Sequence, residues 1–279
     1  MKNIIIPALA LAFLACNNNK TGQQNTDSSS QINENTLTAF SSTDTLPYQI
    51  KDFYRETARS KNPADSSKYA YVKASYPKFG ADQDFLNRKI TSLLSAEPWT
   101  GKNQHSLMKA SESFFKDFET FKKEVPESPA GYAWEQSITV KFQDTNLIVF
   151  ASESYVYTGG AHGMPSLLYS NFDLKNEKDI KLEDILIKDY KKPLTRVAES
   201  IFRKNEGLSQ TDSLENYFFE NKVFYLNDNF AVTQKGLLFT YNVYEIKSYA
   251  EGMTDLFIPY QKIKGLVKPN SIISKYITP

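Results

Sequence analysis

The 279-residue chain has one cysteine, two histidines and two tryptophans. With Cys16 alone there is no internal disulfide, and the mature body has no thiol nucleophile or thiolate metal site. His105 and His162 lie far apart, and no His-x-x-x-His pair exists to start a zinc site. Neither charge sign dominates: 33 Lys and Arg face 32 Asp and Glu, for a net charge of +1. That balance removes the electrostatic footprint of a nucleic-acid binder, and no long basic run appears. No Gly-x-Ser-x-Gly elbow is present, and Gly159-Gly160 is not followed by the Lys-Ser/Thr pair of a phosphate loop. No metal and no cofactor is expected.

Apolar runs are short as well. The run from Ile4 to Ala15 follows Lys2 and falls below the roughly 20 residues of a membrane span. It ends at Phe13-Leu14-Ala15-Cys16, which reads as a bacterial lipobox. Residues 1–15 are therefore expected to be a lipoprotein signal peptide. Cys16 would carry diacylglycerol and an acylated amine, of the palmitate kind. Each buried methylene contributes about 0.8 kcal/mol to anchoring. Asn17, rather than Asp, follows Cys16 and points to the outer membrane of a Gram-negative envelope. Residues 16–46 are rich in Asn, Gln, Ser and Thr and poor in large apolar side chains. Such a stretch cannot repay its ordering entropy by burial and reads as a flexible tether, with a reach of roughly 30 Å.

Aromatic residues are plentiful by contrast: 17 Tyr and 19 Phe in a chain that is 41% hydrophobic. Tyrosine at that level suits sheets with one half-wet face, and also carbohydrate or protein contact surfaces. Strand patterns over Tyr48 to Thr57 and Lys68 to Lys78 predict a hairpin. Asp82 is placed to cap a helix carrying Leu86, Ile90, Leu93 and Leu94. A second helix follows, with Phe114, Phe118, Phe121 and Val125 on one stripe. Alternation from Tyr132 to Phe142, a turn at Asp144-Thr145-Asn146 and a return from Leu147 to Tyr157 predict a long hairpin. Beyond it come a strand from Ser166, a helix after Pro193 that ends at Gly207, a hairpin around Gln234-Lys235-Gly236, and a last strand from Thr254 to Pro259. This order predicts an α+β fold of antiparallel sheets with packed helices, in two closely associated subdomains, 47–165 and 166–279.

The most compressed stretch is Tyr157-Thr158-Gly159-Gly160-Ala161-His162-Gly163, between two predicted strands. Tyr157, Gly159, Gly160, His162 and Gly163 are the candidate ligand-binding or structural residues. The glycines permit positive φ or a close backbone approach. His162 is placed to bond a backbone group and pin the connection. The catalytic alternative needs a nucleophile and an orienting carboxylate. Ser152, Ser154 or Ser166 would supply the first, and Glu153 or Asp173 the second. No spacing singles out one of them, so no catalytic residue is assigned. His105 reads as a solvated loop histidine.

The same stretch resembles the signature of the RsiV-like and PdaC-like extracytoplasmic families. Asn171-Phe172-Asp173-Leu174, Ile180-Lys181-Leu182-Glu183-Asp184, Leu237-Leu238-Phe239-Thr240-Tyr241, Tyr244-Glu245-Ile246 and Phe257-Ile258-Pro259-Tyr260 follow in family order. The resemblance implies an accessory domain of a peptidoglycan deacetylase in the first half. Over the whole, it implies the sensor region of a lysozyme-binding anti-sigma factor. The deacetylase's metal-binding domain and the anti-sigma factor's cytoplasmic segment have no counterpart in the sequence. The expectation is a membrane-anchored binding or sensing domain for peptidoglycan, another glycan or a lysozyme-like protein. The alternative is a cell-wall hydrolase or deacetylase using His162.

Overall fold

The computed structural model describes residues 46–62, 68–98 and 100–277. Cys16 and the signal, lipobox and most of the tether expectations lie outside the described residues. The body holds a six-stranded sheet in the order β1 to β6 and a three-stranded sheet in the order β7 to β9. The strands of the first are β1 (Tyr48–Glu56), β2 (Ala70–Phe79), β3 (Tyr132–Gln143), β4 (Leu147–Tyr157), β5 (Met164–Asp173) and β6 (Lys178–Asp179). Those of the second are β7 (Phe230–Val232), β8 (Gly236–Tyr241) and β9 (Thr254–Pro259). The α+β expectation holds.

One pairing is parallel, β2 with β3; the rest are antiparallel. Its cause is the crossover between them, which carries α1 (Asp84–Leu94) and α2 (Leu107–Glu124) over one sheet face. Leu86, Ile90, Leu94, Phe114 and Phe118 are buried against Val72, Trp134 and Ile138 of that face. Asp82 does not cap α1. A 3-10 turn over Ala81–Gln83 precedes the helix, and Gln83 occupies the cap without a side-chain bond. Ser106 does cap α2, its side chain accepting from the backbone N–H of Lys109.

The second core gathers α3 (Leu182–Ile185), α4 (Lys191–Asn205) and α5 (Tyr260–Ile263) with the three-stranded sheet. The β3–β4 hairpin serves both cores. Ile148 and Phe150 point into the first, and Phe142, Leu147 and Val149 into the second. Residue 166, expected to open the second subdomain, lies inside β5, and the first sheet continues to Asp179.

Three asparagines join the halves along β5. β6 pairs only with Phe172 and Asp173, so most of the outer β5 edge has no strand partner. Asn229 accepts from Tyr169 N at 2.9 Å and donates to Leu167 O at 2.8 Å. Asn242 accepts from Leu167 N at 2.7 Å. Asn171, on β5 itself, reaches the other way, donating to Phe230 O and accepting from Val232 N, both at 2.7 Å. A primary amide offers the same donor and acceptor as a peptide group, so side chains complete the ladder that a strand would otherwise make.

The chain's far end is latched back onto the β3–β4 turn. Asp144 is buried and accepts from Asn146 N at 2.7 Å and Leu147 N at 3.0 Å. Its other oxygen takes Lys275 Nζ at 2.7 Å and the Tyr276 hydroxyl. Burial raises the Asp144 carboxyl, but the Lys275, Tyr276 and backbone donors outweigh it and hold it below the ordinary value.

Two outcomes follow for stability. Asn229→Ala strands the Tyr169 N–H and removes donors from Leu167 O and Thr240 O. It should cost roughly 2–4 kcal/mol in urea unfolding. For Asp144, the folded state binds its proton less readily than the unfolded state. Its contribution is therefore full above about pH 4 and lost as pH falls through the lowered folded value. Acid titration of stability should show this loss in the wild type and not in Asp144→Asn.

Candidate functional site

Residues 158–163 connect β4 to β5. Gly159 and Gly160 have φ of +87° and +108°, where a Cβ is disfavoured. The Tyr157 hydroxyl donates to Gly160 O at 3.1 Å and closes the loop on itself. A Cβ on Gly159 would touch the Phe121 ring at 3.6 Å and Ala130 Cβ at 3.8 Å, so the loop rests on the end of α2. Gly163 is buried, and a Cβ there would overlap the Tyr155 ring. The loop thus needs glycine twice for backbone shape and once for close approach.

His162 is exposed. Its Nδ1 lies 3.1 Å from Gly163 O, and a carbonyl only accepts, so Nδ1 carries the hydrogen. Nε2 is then the bare lone pair and accepts the Tyr244 hydroxyl at 3.2 Å. The imidazole stacks on Tyr249 with centroids 3.9 Å apart and planes at 25°. Tyr244 and Tyr249 lie 5.8 Å apart. A surface cluster of three rings therefore spans the two halves, with one ring from the first and two from the second.

The second half builds its side of the cluster with care for backbone groups. Tyr244 holds φ +64°, an uncommon state for a bulky side chain. Glu245 stabilises that turn by accepting from Asn242 N and from Asn227 Nδ2, each at 2.8 Å. Glu251 accepts from Ser248 N at 3.0 Å and its hydroxyl at 2.7 Å, setting the short turn that carries Tyr249. Nearby, the Thr240 hydroxyl donates to Asp255 at 2.5 Å. Burial raises the Asp255 carboxyl and pushes the neighbouring Tyr169 up to about 12.

The helpers that a catalytic His162 needs are engaged elsewhere. Ser154 and Ser166 bond each other at 2.7 Å, and Ser152 accepts from Gln136 at 3.2 Å. Glu153 takes Lys141 at 3.5 Å. Asp173 accepts from Lys175 N and Asn176 N, both at 2.9 Å, inside its own turn. His105 stands in an exposed loop at φ +64°. Among the described residues no three His, Cys, Asp or Glu side chains converge, and no helix is long and apolar enough to cross a membrane. A cavity of about 430 Å3 lies between β1, β2 and α1, lined by Lys51, Tyr76, Asn87 and Thr91 among others. None of residues 157–163 lines it, and the Asn87 amide is committed to Phe79 N and Phe79 O.

Tyr249, Asn229 and Asn242 carry no local signal in the sequence. Only Asn171, in Asn171-Phe172-Asp173-Leu174, and Tyr244, in Tyr244-Glu245-Ile246, fall in the resembling stretches. His162→Ala should keep the fold and lower its unfolding free energy by about 1 kcal/mol, the value of a lost stack and hydrogen bond. His162→Phe, which keeps a ring on Tyr249, should recover part of that loss in the same thermal melts.

Residues 63–165 match the family model described as Deacetylase PdaC, and residues 179–261 match that of a protein of unknown function, DUF3298. No curated protein matches the chain. The fold is shared with a crystal structure of a DUF3298 family member from Bacteroides fragilis NCTC 9343. That match has a TM-score of 0.68 and 24% identity, covering 84% of this chain and 99% of the other. A DUF3298 family protein from Pseudomonas aeruginosa PAO1 matches with a TM-score of 0.64 and 22% identity, covering 81% and 96%. One family model thus matches in each half, so the chain joins a PdaC-like stretch to a DUF3298-like stretch on a fold shared with DUF3298 proteins.

Proposed function

We propose that the chain is a lipid-anchored module of the cell envelope that engages cell-wall glycan at the junction of its two halves. The observation that carries this reading is the surface ring cluster of exposed His162 and Tyr244 with half-buried Tyr249, held by positive-φ turns on both sides. Exposed, preorganised rings with polar rims bind amphipathic ligands such as sugars at low ordering cost. The lipobox at Cys16 and the polar stretch after it support attachment to a membrane facing the wall.

A second reading is chemical. The match of residues 63–165 to a family model described as a deacetylase favours cell-wall processing more directly than it favours sensing. In that reading His162 is the base, and its Nε2 lone pair is released when the Tyr244 hydroxyl turns away.

Sedimentation of the purified chain with peptidoglycan sacculi separates these readings from a lysozyme-like partner. The binding reading predicts retention on sacculi with no release of acetate or reducing ends. Release that vanishes in His162→Ala would establish the chemical reading instead. Retention on immobilised lysozyme alone would overturn both. Anchoring is tested in a Gram-negative host: labelled palmitate should enter the wild type and not Cys16→Ser, which should leave the membrane fraction.

A further inference from the structure

The face of the large sheet turned away from α1 and α2 carries a band of tyrosines and paired charges. Register sets the band. Tyr54 lies opposite Lys73, Lys73 beside Glu135, Glu135 opposite Tyr155, and Tyr155 opposite Pro165. The adjoining row places Glu56 opposite Tyr71. Tyr54 is 55% and Tyr155 39% exposed, so both rings stand in solvent. Five strands at their usual spacing make the band roughly 19 Å wide.

The rings are held rather than loose. Tyr54 donates to Glu56 at 2.6 Å and Tyr71 donates to Glu135 at 2.7 Å. Tyr54 and Tyr71 stack at 6.3 Å, and Tyr69 and Tyr71 lie 6.0 Å apart. Arg59 covers the Tyr69 ring at 4.0 Å while pairing with Glu56 at 2.7 Å. At the other end the ring of Tyr155 lies where a Cβ of Gly163 would be. The third glycine of the loop therefore shapes this band, a role separate from the turn made by Gly159 and Gly160.

Charge selects the occupant. Arg59, Lys73 and Lys141 stand against Glu56, Glu135, Glu153 and Asp52, which alternation along β1 sets on the same face, so the charges differ by one carboxylate. The face has no excess cation for a polyanion or an anionic lipid surface, and a single surplus carboxylate is a weak draw for a basic peptide. A second copy laid on it would strip water from the charged row between the rings. An uncharged pyranose chain fits: its C–H faces pack on tyrosine rings, and its hydroxyls bond Lys73 and Glu135.

We infer that the tyrosine band across β1 to β5 is a binding subsite for an uncharged, β-linked pyranose chain, with Tyr54, Tyr71 and Tyr155 as stacking platforms. This rests on the glycan reading of the junction and extends it to a second, larger surface. Tyr155, at one end of the band, and the His162 cluster meet the same loop.

The test titrates the full chain with a β-1,4-linked N-acetylglucosamine hexamer, alongside sedimentation with sacculi. Tyr54→Ala and Tyr155→Ala should each weaken hexamer binding about tenfold, and Tyr155→Phe should stay near wild type. Gly163→Ala should match Tyr155→Ala. Tyr54 lies exposed on an edge strand, so its variant reports binding even where Gly163→Ala unfolds. Wild-type affinity in both Tyr54→Ala and Tyr155→Ala, with sacculi still bound, would overturn the band alone. Failure of the wild type to bind hexamer and sacculi would overturn the band and the glycan reading together.

Discussion

The outer edge of β5 is the constraint on which the rest of the body depends. A ten-residue strand whose edge meets only a two-residue partner leaves backbone groups that must be satisfied or must face water. Asn229 and Asn242 supply those bonds from the second half, and Asn171 returns them from the first. Each bond is short and lies between parts of the chain 59 or more residues apart. The two sheets are held edge to edge without one continuous ladder. That fixes the loop at 158–163 against Tyr244 and Tyr249, which follow closely after Asn242.

The shared core deepens this coupling. Leu147 to Ala151 are wholly buried, and alternate side chains point into different cores. An unbroken apolar run is what burial on both faces demands. The two halves therefore read as separate in sequence while folding around one hairpin. The first family match stops at residue 165, just inside β5, and the second starts at residue 179, the end of β6.

Much of the fold was legible because its strands alternate and its turns use marked residues. Asp144-Thr145-Asn146, Gly207 and the Gln234-Lys235-Gly236 turn all stand where local chemistry placed them. The parallel pairing of β2 with β3 was not legible. Alternation on Tyr71 and Lys73 reads the same whichever way the neighbouring strand runs. Asp82 misled because a 3-10 turn can use the same acidic residue that would cap an α-helix. The candidate loop was visible as a cluster of glycines around His162. The tyrosines that meet it lie some 80 residues later, and ring contacts across that distance leave no periodic trace. Gly163 carried a further message that only Tyr155's position reveals.

The central claim is that amide side chains complete the β5 edge and lock the two halves together. Native-state hydrogen exchange read at Leu167 and Tyr169 tests it most directly. Both N–H groups donate to asparagine side chains, so they should exchange as slowly as amides in the β3–β4 hairpin. Exchange as fast as that of the outward-facing amides on the exposed edge strand β1 would contradict the clasp and the fixed junction built upon it.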